Sequence, residues 1–567
     1  MSSKRSLFAL LAAISLAATA FPATAGAAQP IPTSYPRNET LYTTGTMYGQ
    51  PSDFNPLNTG DYTTGTLGLL YEPLFLYNPI TDKFTPWLAK SGGWTGATEY
   101  TVNLRAGVKW NDGTAFTADD VVYTLNLGKL PSVPYSTVWN FLKSVTKVDS
   151  LTVKFTFTKA LYQEWSNFLY QYSIVPAAWG AKDAKSVLFS NDTDPVGTGP
   201  YTLLTSDVQK VVWIKNDNWW GKSLGLDVKP KYIIDTVNAS NNVALGQVVA
   251  GNVDLSNNFL PGIDSIVSGI GGYGIQTYYP KAPFMLSANT AWLSTNNTKK
   301  PLSDVVFRRA LIESIDVSKI VSNVYSNLVK AADPTGLLPI WSQYIDKSVV
   351  AKYAAKYNPA DAKAILTKAG YKLGSDGYFR NKDGSKIDLE LIVPNGWTDW
   401  MASIQSIAQS AKKSGIKIHV AFPSYNDRTD KINTSKYDLA IVNDAQISNT
   451  PWSYYNWIFH TPFVANQGNY GRSFDATAWK LVQKLDTTPT SNVAAMKSIM
   501  SQLQTIFLQE LPVIPLWYNG MWSQANNAVW TNWPSSAAGS PHYVPVTWRG
   551  YWNMGAVLML TELKLSH

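Results

Sequence analysis

Cysteine is absent from the 567 residues, which excludes disulfides, thiolate metal ligands and a cysteine nucleophile. It also excludes anchoring of the chain to a membrane through an acylated cysteine. Charged residues make up only 15% of the chain, below the quarter that is usual. Histidine occurs only four times, at scattered positions: His419, His460, His542 and His567. The sequence therefore predicts no metal site and no catalytic histidine.

Several functional classes lack their usual signals. The formal net charge is +8, but no dense Lys/Arg run marks a nucleic-acid surface. We find no nucleophile elbow, no metal-ligand spacing and no Gly-rich phosphate loop. We therefore expect a protein that is not an enzyme and has no cofactor and no nucleic-acid partner. A glycoside hydrolase needs two carboxylates across a cleft, and the acidic residues are numerous enough that sequence alone does not exclude such a pair.

The N-terminus has the pattern of a secretory signal peptide. Lys4 and Arg5 precede an apolar run of about 14 residues at 7–20, and small residues follow at 23–27. That run is shorter than the roughly 20 residues that a spanning helix needs. We predict a signal peptide at residues 1–28 and export of the remaining chain to the periplasm or the cell surface. An uncleaved membrane anchor is the alternative interpretation.

Periodicity in the chain indicates mixed α/β structure. Apolar residues alternate with Thr and Lys over 151–157, which predicts a half-buried strand. Residues 117–120 precede an apolar-periodic run and are typical of a capped helix start. After residue 300, helical patterns at 303–315, 400–413 and 496–509 alternate with short apolar strands. Such alternation predicts α/β layers.

Five sequence blocks carry a resemblance to a known family. They are NPLN and LYEPL at 55–58 and 70–74, LRAGVKWNDG at 104–113 with FTADDVV at 116–122, GTGPY and KNDNWWG at 197–201 and 215–221, residues 244–254, and residues 301–316. In this order and spacing the chain resembles the extracellular solute-binding proteins of the peptide/nickel/oligosaccharide family (family 5). Members of that family are the ligand-binding subunits of ABC importers.

The resemblance implies an α/β, three-domain, two-lobed periplasmic-binding-protein-like fold (cluster C type) with a hinged ligand cleft. Domain I would comprise residues 29–66, 197–282 and 520–567, domain II residues 67–196, and domain III residues 283–519. The chain would cross between lobes near 283–297 and 512–520. The implied partners are a small ligand and a membrane permease, and we expect a monomer.

Tryptophan is the unusual residue, with 22 copies in the chain. Core packing explains more than half of them, but the clusters at 397–400, 452–457, 517–522 and 530–552 fall in predicted loops. Indole faces stack on the C–H faces of sugars, while Asn, Gln and Asp meet the hydroxyl rim. Asn-rich segments accompany these loops, around 289–297, 443–456 and 519–527. The pattern indicates a neutral sugar. The chain here resembles the cellobiose- and cello-oligosaccharide-binding members of the family, and that resemblance implies a β-linked oligosaccharide.

An oligopeptide is the alternative ligand. Peptide receptors of this family carry an acidic loop with an aspartate just before a proline, whereas Thr450 precedes Pro451 here. Asp444 remains as a partner for a peptide ammonium group. The departure from the peptide pattern favours a neutral ligand, with the oligopeptide kept open.

We expect eleven residues to bind the ligand. The aromatic candidates are Trp397, Trp452, Tyr454, Trp457, Trp517 and Trp522, and the polar candidates are Asn55, Asn296, Asp444, Asn449 and Asn519.

Overall fold

The computed structural model describes residues 31–45, 47, 49–58, 63–181, 194–238, 240–269, 273–548 and 556–566. The predicted signal peptide at 1–28 lies outside the described residues. None of the helices in these ranges combines the length and apolar character that crossing a lipid bilayer requires.

The strands are β1 Thr40–Thr44, β2 Phe75–Asn78, β3 Lys83–Pro86, β4 Ala89–Gly96, β5 Glu99–Leu104, β6 Leu142–Asp149, β7 Thr152–Phe157, β8 Tyr201–Ser206, β9 Lys210–Lys215, β10 Tyr232–Thr236, β11 Leu255–Ser256, β12 Ile275–Thr277, β13 Leu286–Thr295, β14 Lys372–Leu373, β15 Phe379–Arg380, β16 Leu389–Ile392, β17 Ile418–Ala421, β18 Leu439–Val442, β19 Val513–Met521, β20 Gln524–Asn526, β21 Trp530–Thr531 and β22 Lys564–Leu565.

The α-helices are α1 Ala118–Leu127, α2 Tyr162–Gln171, α3 Asn241–Val249, α4 Ile263–Ser268, α5 Val305–Glu313, α6 Val317–Asn323, α7 Lys347–Tyr353, α8 Pro359–Lys368, α9 Thr398–Lys413, α10 Tyr425–Asn433, α11 Trp452–Phe459, α12 Ala476–Asp486, α13 Val493–Glu510 and α14 Ala556–Glu562. Short 3-10 turns lie at Arg37–Glu39, Ser136–Asn140, Ala177–Ala181, Trp220–Leu224 and Pro339–Tyr344.

A mixed seven-stranded sheet has the order β12-β20-β11-β1-β10-β9-β8. Its central strand β1 runs parallel to both β10 and β11. Four of the five residues of β1 are buried, as expected for a parallel strand that is covered on both faces. The chain therefore leaves β1, β10 and β11 at the same edge of the sheet.

A five-stranded sheet has the order β17-β16-β18-β13-β19. Strands β16, β17 and β18 are parallel, and β13 is antiparallel to both of its neighbours. The carboxyl ends of β16, β18 and β19 and the amino end of β13 consequently share one edge. Helix α9 follows β16 and packs against this sheet with its apolar stripe, which includes Trp400, Ile404 and Ile407.

A third, antiparallel sheet has the order β4-β5-β7-β6. The alternation at 151–157 correctly predicted β7, whose odd-numbered residues Val153, Phe155 and Phe157 are buried. The predicted helix start at 117–120 is also confirmed. Thr117 and Asp120 form a capping box at the start of α1, with the Thr117 N–H donating to Oδ2 of Asp120 over 2.8 Å.

The chain passes from the seven-stranded to the five-stranded sheet between β12 and β13, and it returns between β19 and β20. The second passage is only two residues long, Trp522 and Ser523. The predicted α/β fold class is confirmed by this architecture.

Three tryptophans serve the packing of the fold by binding the buried side chain of Glu72. Its buried carboxylate accepts hydrogen bonds from the indole N–H groups of Trp87 (2.8 Å), Trp219 (3.3 Å) and Trp220 (2.8 Å). Burial raises the pKa of Glu72 to about 7, although these hydrogen bonds oppose the shift. The cluster ties the LYEPL segment to the KNDNWWG segment.

Candidate functional site

A cavity of about 970 Å³, including space open to solvent, lies between the seven-stranded and five-stranded sheets. Both sheets present the carboxyl ends of parallel strands to it. In open α/β sheets these ends are where ligands bind, because loops can diverge there around a crevice. We therefore take this cavity as the candidate ligand site and call it the interlobe cavity.

The seven-stranded sheet contributes residues from the loops that follow its strands. Gly45 follows β1, and Asn257, Asn258 and Phe259 follow β11. Gly45 adopts a φ of +104°, and a Cβ atom there would lie 2.6 Å from the backbone nitrogen of Asn258. Only glycine allows these two loops to approach so closely.

Asn257 connects three segments of one wall of the interlobe cavity through side-chain hydrogen bonds. Its Nδ2 donates to the carbonyl oxygen of Trp522 over 2.6 Å, and its Oδ1 accepts from the N–H of Thr547 over 2.7 Å. The two-residue passage at Trp522 is thus held against the loop after β11.

The five-stranded sheet contributes the opposite wall. After β16 the chain turns at Gly396, with φ +86°, and places Trp397, Asp399 and Trp400 at the start of α9. The remaining lining residues from this sheet are Asn443 after β18, Asn289 in β13, Asn519 at the end of β19, and Gly520.

Aromatic rings occupy both walls. Trp397 and Trp400 pack edge to face with ring centroids 4.8 Å apart. On the other wall Trp522 contacts Phe259 at 5.3 Å and stacks on Tyr325 at 6.2 Å. Trp397 and Trp522 are only half-buried, so each keeps ring surface that a ligand can cover.

The lining is almost uncharged. Among the described residues that form it, Asp399 is the one ionisable side chain, and six are asparagines: Asn241, Asn257, Asn258, Asn289, Asn443 and Asn519. Burial raises the pKa of Asp399 to about 6, despite hydrogen bonds that favour its ionised form. One of these bonds comes from the hydroxyl of Tyr325 at 3.2 Å.

The structure brings three of the eleven predicted site residues to this cavity: Trp397, Asn519 and Trp522. Trp517 does not line it. Its side chain is fully buried and packs against Tyr325 with ring centroids 5.3 Å apart. Trp517 therefore packs behind Tyr325, the ring on which the lining residue Trp522 stacks.

Three more predicted residues, Asp444, Trp452 and Trp457, line a second cavity of about 910 Å³ that α2 bounds on one side. Tyr454 lines neither of these two cavities, because it is fully buried between Trp292 and Trp341. We expected a loop here, but residues 452–459 form helix α11, whose aromatic side chains pack into the core under the five-stranded sheet.

The last three predicted residues have structural roles. Asn296 is buried, and its Nδ2 donates to the carbonyl oxygens of Ser435 and Tyr437. Asn55 forms a local turn in which its Oδ1 accepts from the N–H of Leu57. Asn449 reaches α2, where its Nδ2 donates to Oγ of Ser166 over 2.8 Å.

Sequence reasoning missed several lining residues, among them Asn241, Asn257, Asn258, Phe259 and Asp399. A signal for two of them was present. Asn257 and Asn258 follow the recognised block at 244–254 at the point where a short parallel strand ends, and such ends carry ligand contacts. Trp400, Asn289 and Asn443 belonged to clusters that we had noted, but not to the predicted site.

Comparison with known proteins identifies the family. Residues 83–466 match the model of the bacterial extracellular solute-binding proteins, family 5. A periplasmic oligopeptide-binding protein of Thermotoga maritima, crystallised with mannohexaose bound, is 41% identical in sequence. The match covers 94% of this chain and 100% of that one, with a TM-score of 0.88.

Curated relatives are more distant. A probable ABC transporter-binding protein of Deinococcus radiodurans is 28% identical over 65% of this chain and 67% of its own length. The oligopeptide-binding protein AppA of Bacillus subtilis is 24% identical over 83% and 84%. Other matched relatives are named for peptides and for nickel. The chain belongs to family 5 of the bacterial extracellular solute-binding proteins and is the solute-binding subunit of an ABC importer.

Proposed function

We propose that the interlobe cavity captures a neutral oligosaccharide for import. The observation that carries this proposal is the lining itself, whose described residues combine four aromatic rings and six asparagines with a single ionisable group. Sugars present apolar C–H faces and a rim of hydroxyls, and this lining complements both.

The energies are adequate for a transport receptor. If each half-buried indole covers about 60 Å² of sugar face, stacking contributes about 1.5 kcal/mol per ring. Two rings and several hydrogen bonds to asparagine can reach about −8 kcal/mol after ordering losses, which is a micromolar Kd.

The relative from Thermotoga maritima adds support, because it shares 41% of its residues over nearly the whole chain and was crystallised with mannohexaose. The predicted preference for β-linked sugars such as cellobiose remains part of this proposal.

An oligopeptide is the second candidate, and the names of the relatives favour it over a sugar. Asp399 could pair with a peptide ammonium group. The carboxylate of a peptide would need a cationic side chain to pair with, however. No Lys or Arg belongs to the described lining of the interlobe cavity. This difference is our reason for placing the sugar first.

In this proposal the two sheets belong to two lobes of the three predicted domains, which close over the ligand. A ligand that contacts both walls at once binds the closed state more tightly than the open state, and this difference in affinity favours closure. The passages between β12 and β13 and at Trp522–Ser523 would serve as the hinge, and the closed receptor would deliver its ligand to a membrane permease from the periplasm or the outer cell surface.

Titration calorimetry tests the proposal. The panel contains cellobiose, cellotetraose, mannohexaose and xylotetraose, and tri- to pentapeptides without charged side chains. Trp397→Ala should weaken sugar binding about tenfold or more. Trp94→Ala is the matched control, because Trp94 packs in the four-stranded sheet away from the cavity. Heat from peptides and none from any sugar would overturn the assignment in favour of the second candidate.

A further inference from the structure

A chain of three amide groups links Asn443 to Asn289, which both line the interlobe cavity, through Gln446, which lines the second cavity. Nε2 of Gln446 donates to the carbonyl oxygen of Asn443 over 2.7 Å. Nδ2 of Asn289 then donates to Oε1 of Gln446 over 2.8 Å. The backbone joins the same segments, because the N–H of Ile447 donates to the carbonyl oxygen of Ala288 over 2.9 Å.

The direction of this chain is fixed by chemistry. A backbone carbonyl only accepts, so Gln446 must present its NH₂ group to Asn443. The Oε1 atom of Gln446 therefore faces Asn289. Because that oxygen accepts, Asn289 must donate to it through its own NH₂ group. The amide oxygen of Asn289 is left over as a committed acceptor.

That oxygen has no hydrogen-bond partner within the described ranges, although the Asn289 side chain is fully buried and the residue lines the cavity. Asn519 lies directly opposite on β19, also lines the cavity and also carries an unpartnered amide oxygen. Residues paired across antiparallel strands have side chains on the same face. A fixed acceptor thus lies beside a second amide, that of Asn519, whose orientation is set by no side-chain hydrogen bond within the described residues.

We propose that Asn289 is a fixed acceptor that selects ligands with a hydroxyl donor at this point, beside the adaptable amide of Asn519, and that Gln446 is the positioning residue that holds Asn289 in its accepting orientation. This inference rests on the proposed function and adds the chemistry of selection to it. A ligand hydroxyl that donates to Asn289 satisfies a buried oxygen, whereas a group of similar size that cannot donate leaves it unpaired.

The selection is testable on the ligand side. Fluorine has nearly the size of a hydroxyl group and cannot donate a hydrogen bond. We expect mannobiose or cellobiose with fluorine in place of one hydroxyl to bind at least tenfold more weakly than the parent sugar at one or two ring positions, and nearly unchanged at the others.

On the protein side, Gln446→Met keeps the length of the side chain and removes the bond that orients Asn289. The amide of Asn289 can then rotate and donate to fluorine or to an ether oxygen. We expect the fluorine penalty at one position to fall to less than threefold. Gln509→Met is the matched control, because Gln509 is exposed on α13, and it should keep the wild-type profile.

Calorimetry of wild type, Gln446→Met and Gln509→Met with the fluorinated series gives separable outcomes. If wild type binds sugars but tolerates fluorine at every position, the inference fails and the proposed function stands. The same holds if Gln446→Met, folded by circular dichroism, retains the full wild-type penalty at each position. If wild type binds neither the parent disaccharides nor any longer sugar of the calorimetry panel, the inference and the proposed function fail together.

Discussion

The hydroxyl of Tyr325 donates a hydrogen bond to Oδ2 of Asp399 over 3.2 Å, and both side chains are buried. This pair places a carboxyl group at the wall of the interlobe cavity, in the first turn of α9. Because burial raises the pKa of Asp399 to about 6, the group titrates within a range in which the protein can be studied.

Ligand affinity should therefore depend on pH. A ligand hydroxyl that donates to Asp399 favours the ionised carboxylate, so the affinity should rise by about tenfold between pH 5 and pH 7. Asp399→Asn should remove that dependence. Calorimetry at pH 5, 6 and 7 measures it. A Kd that is flat over this range in the wild type would show that the ligand does not use the carboxylate.

The tryptophans should separate into two classes. Trp522→Ala should weaken ligand binding while the protein stays folded, because Trp522 is half-buried at the cavity wall. Trp517→Ala should lower the free energy of unfolding by about 3–5 kcal/mol, because the ring it removes is fully buried. Urea denaturation and calorimetry on both variants distinguish these effects. Equal losses of stability would contradict the assignment of Trp522 to the site.

The contrast between these tryptophans shows which features of the protein could be predicted from its sequence. The family blocks and the strand and helix periodicities were sufficient for the fold class, because they depend on local spacing. The choice among loop tryptophans was not, because Trp452 and Trp457 lie on α11, which packs both into the core and stacks Trp457 on Trp292. Only the packing of the whole five-stranded sheet decides that orientation.

The asparagines illustrate the same limit. Asn289 and Gln446 are 157 positions apart, so no local pattern relates them. Asn519 was predicted from its neighbourhood and does line the cavity, whereas Asn296, in a similar setting, turns inward to two carbonyl groups. Composition predicted an amide-rich site, and strand register determines which amides form it.

Gly45 should be intolerant of any side chain. Gly45→Ala would press a methyl group against the backbone of Asn258 and force a positive φ on alanine. We expect a loss of about 1–3 kcal/mol in the free energy of unfolding and weaker ligand binding. Gly113→Ala is the control: Gly113 also has positive φ but meets no atom within 4 Å, so only the smaller backbone strain applies. Urea denaturation compares them, and equal losses would refute the close-contact argument.

A carboxyl pair at α2 should make stability depend on pH. Oδ1 of Asp486 accepts from the backbone N–H groups of Gln163 (3.1 Å) and Glu164 (3.0 Å) at the start of α2. Burial raises the pKa of Glu164, and the charge of Asp486 raises it further. Burial also raises the pKa of Asp486. Both carboxyl groups thus bind protons more tightly in the folded state than in the unfolded state.

The sign of the effect follows from linkage. Stabilisation by such groups is fully present below their unfolded pKa values, near 4, and is lost as the pH rises through the raised folded values. The wild-type Tm should therefore fall between pH 6 and pH 9. Glu164→Gln removes one of the two charges and should raise the Tm at pH 9 by about 2 °C or more, with little change at pH 5.

Glu99→Gln is the control for this experiment, because Glu99 is partly exposed and pairs with Lys154 at 3.2 Å. Its loss should change the Tm little at either pH, since surface ion pairs contribute about 0–1 kcal/mol. Differential scanning calorimetry at pH 5, 6 and 9 on the three proteins provides the measurement. If Glu164→Gln lowered the Tm at pH 9 as much as at pH 5, the carboxyl pair would not be repulsive, and Asp486 would act only as a hydrogen-bond acceptor for α2.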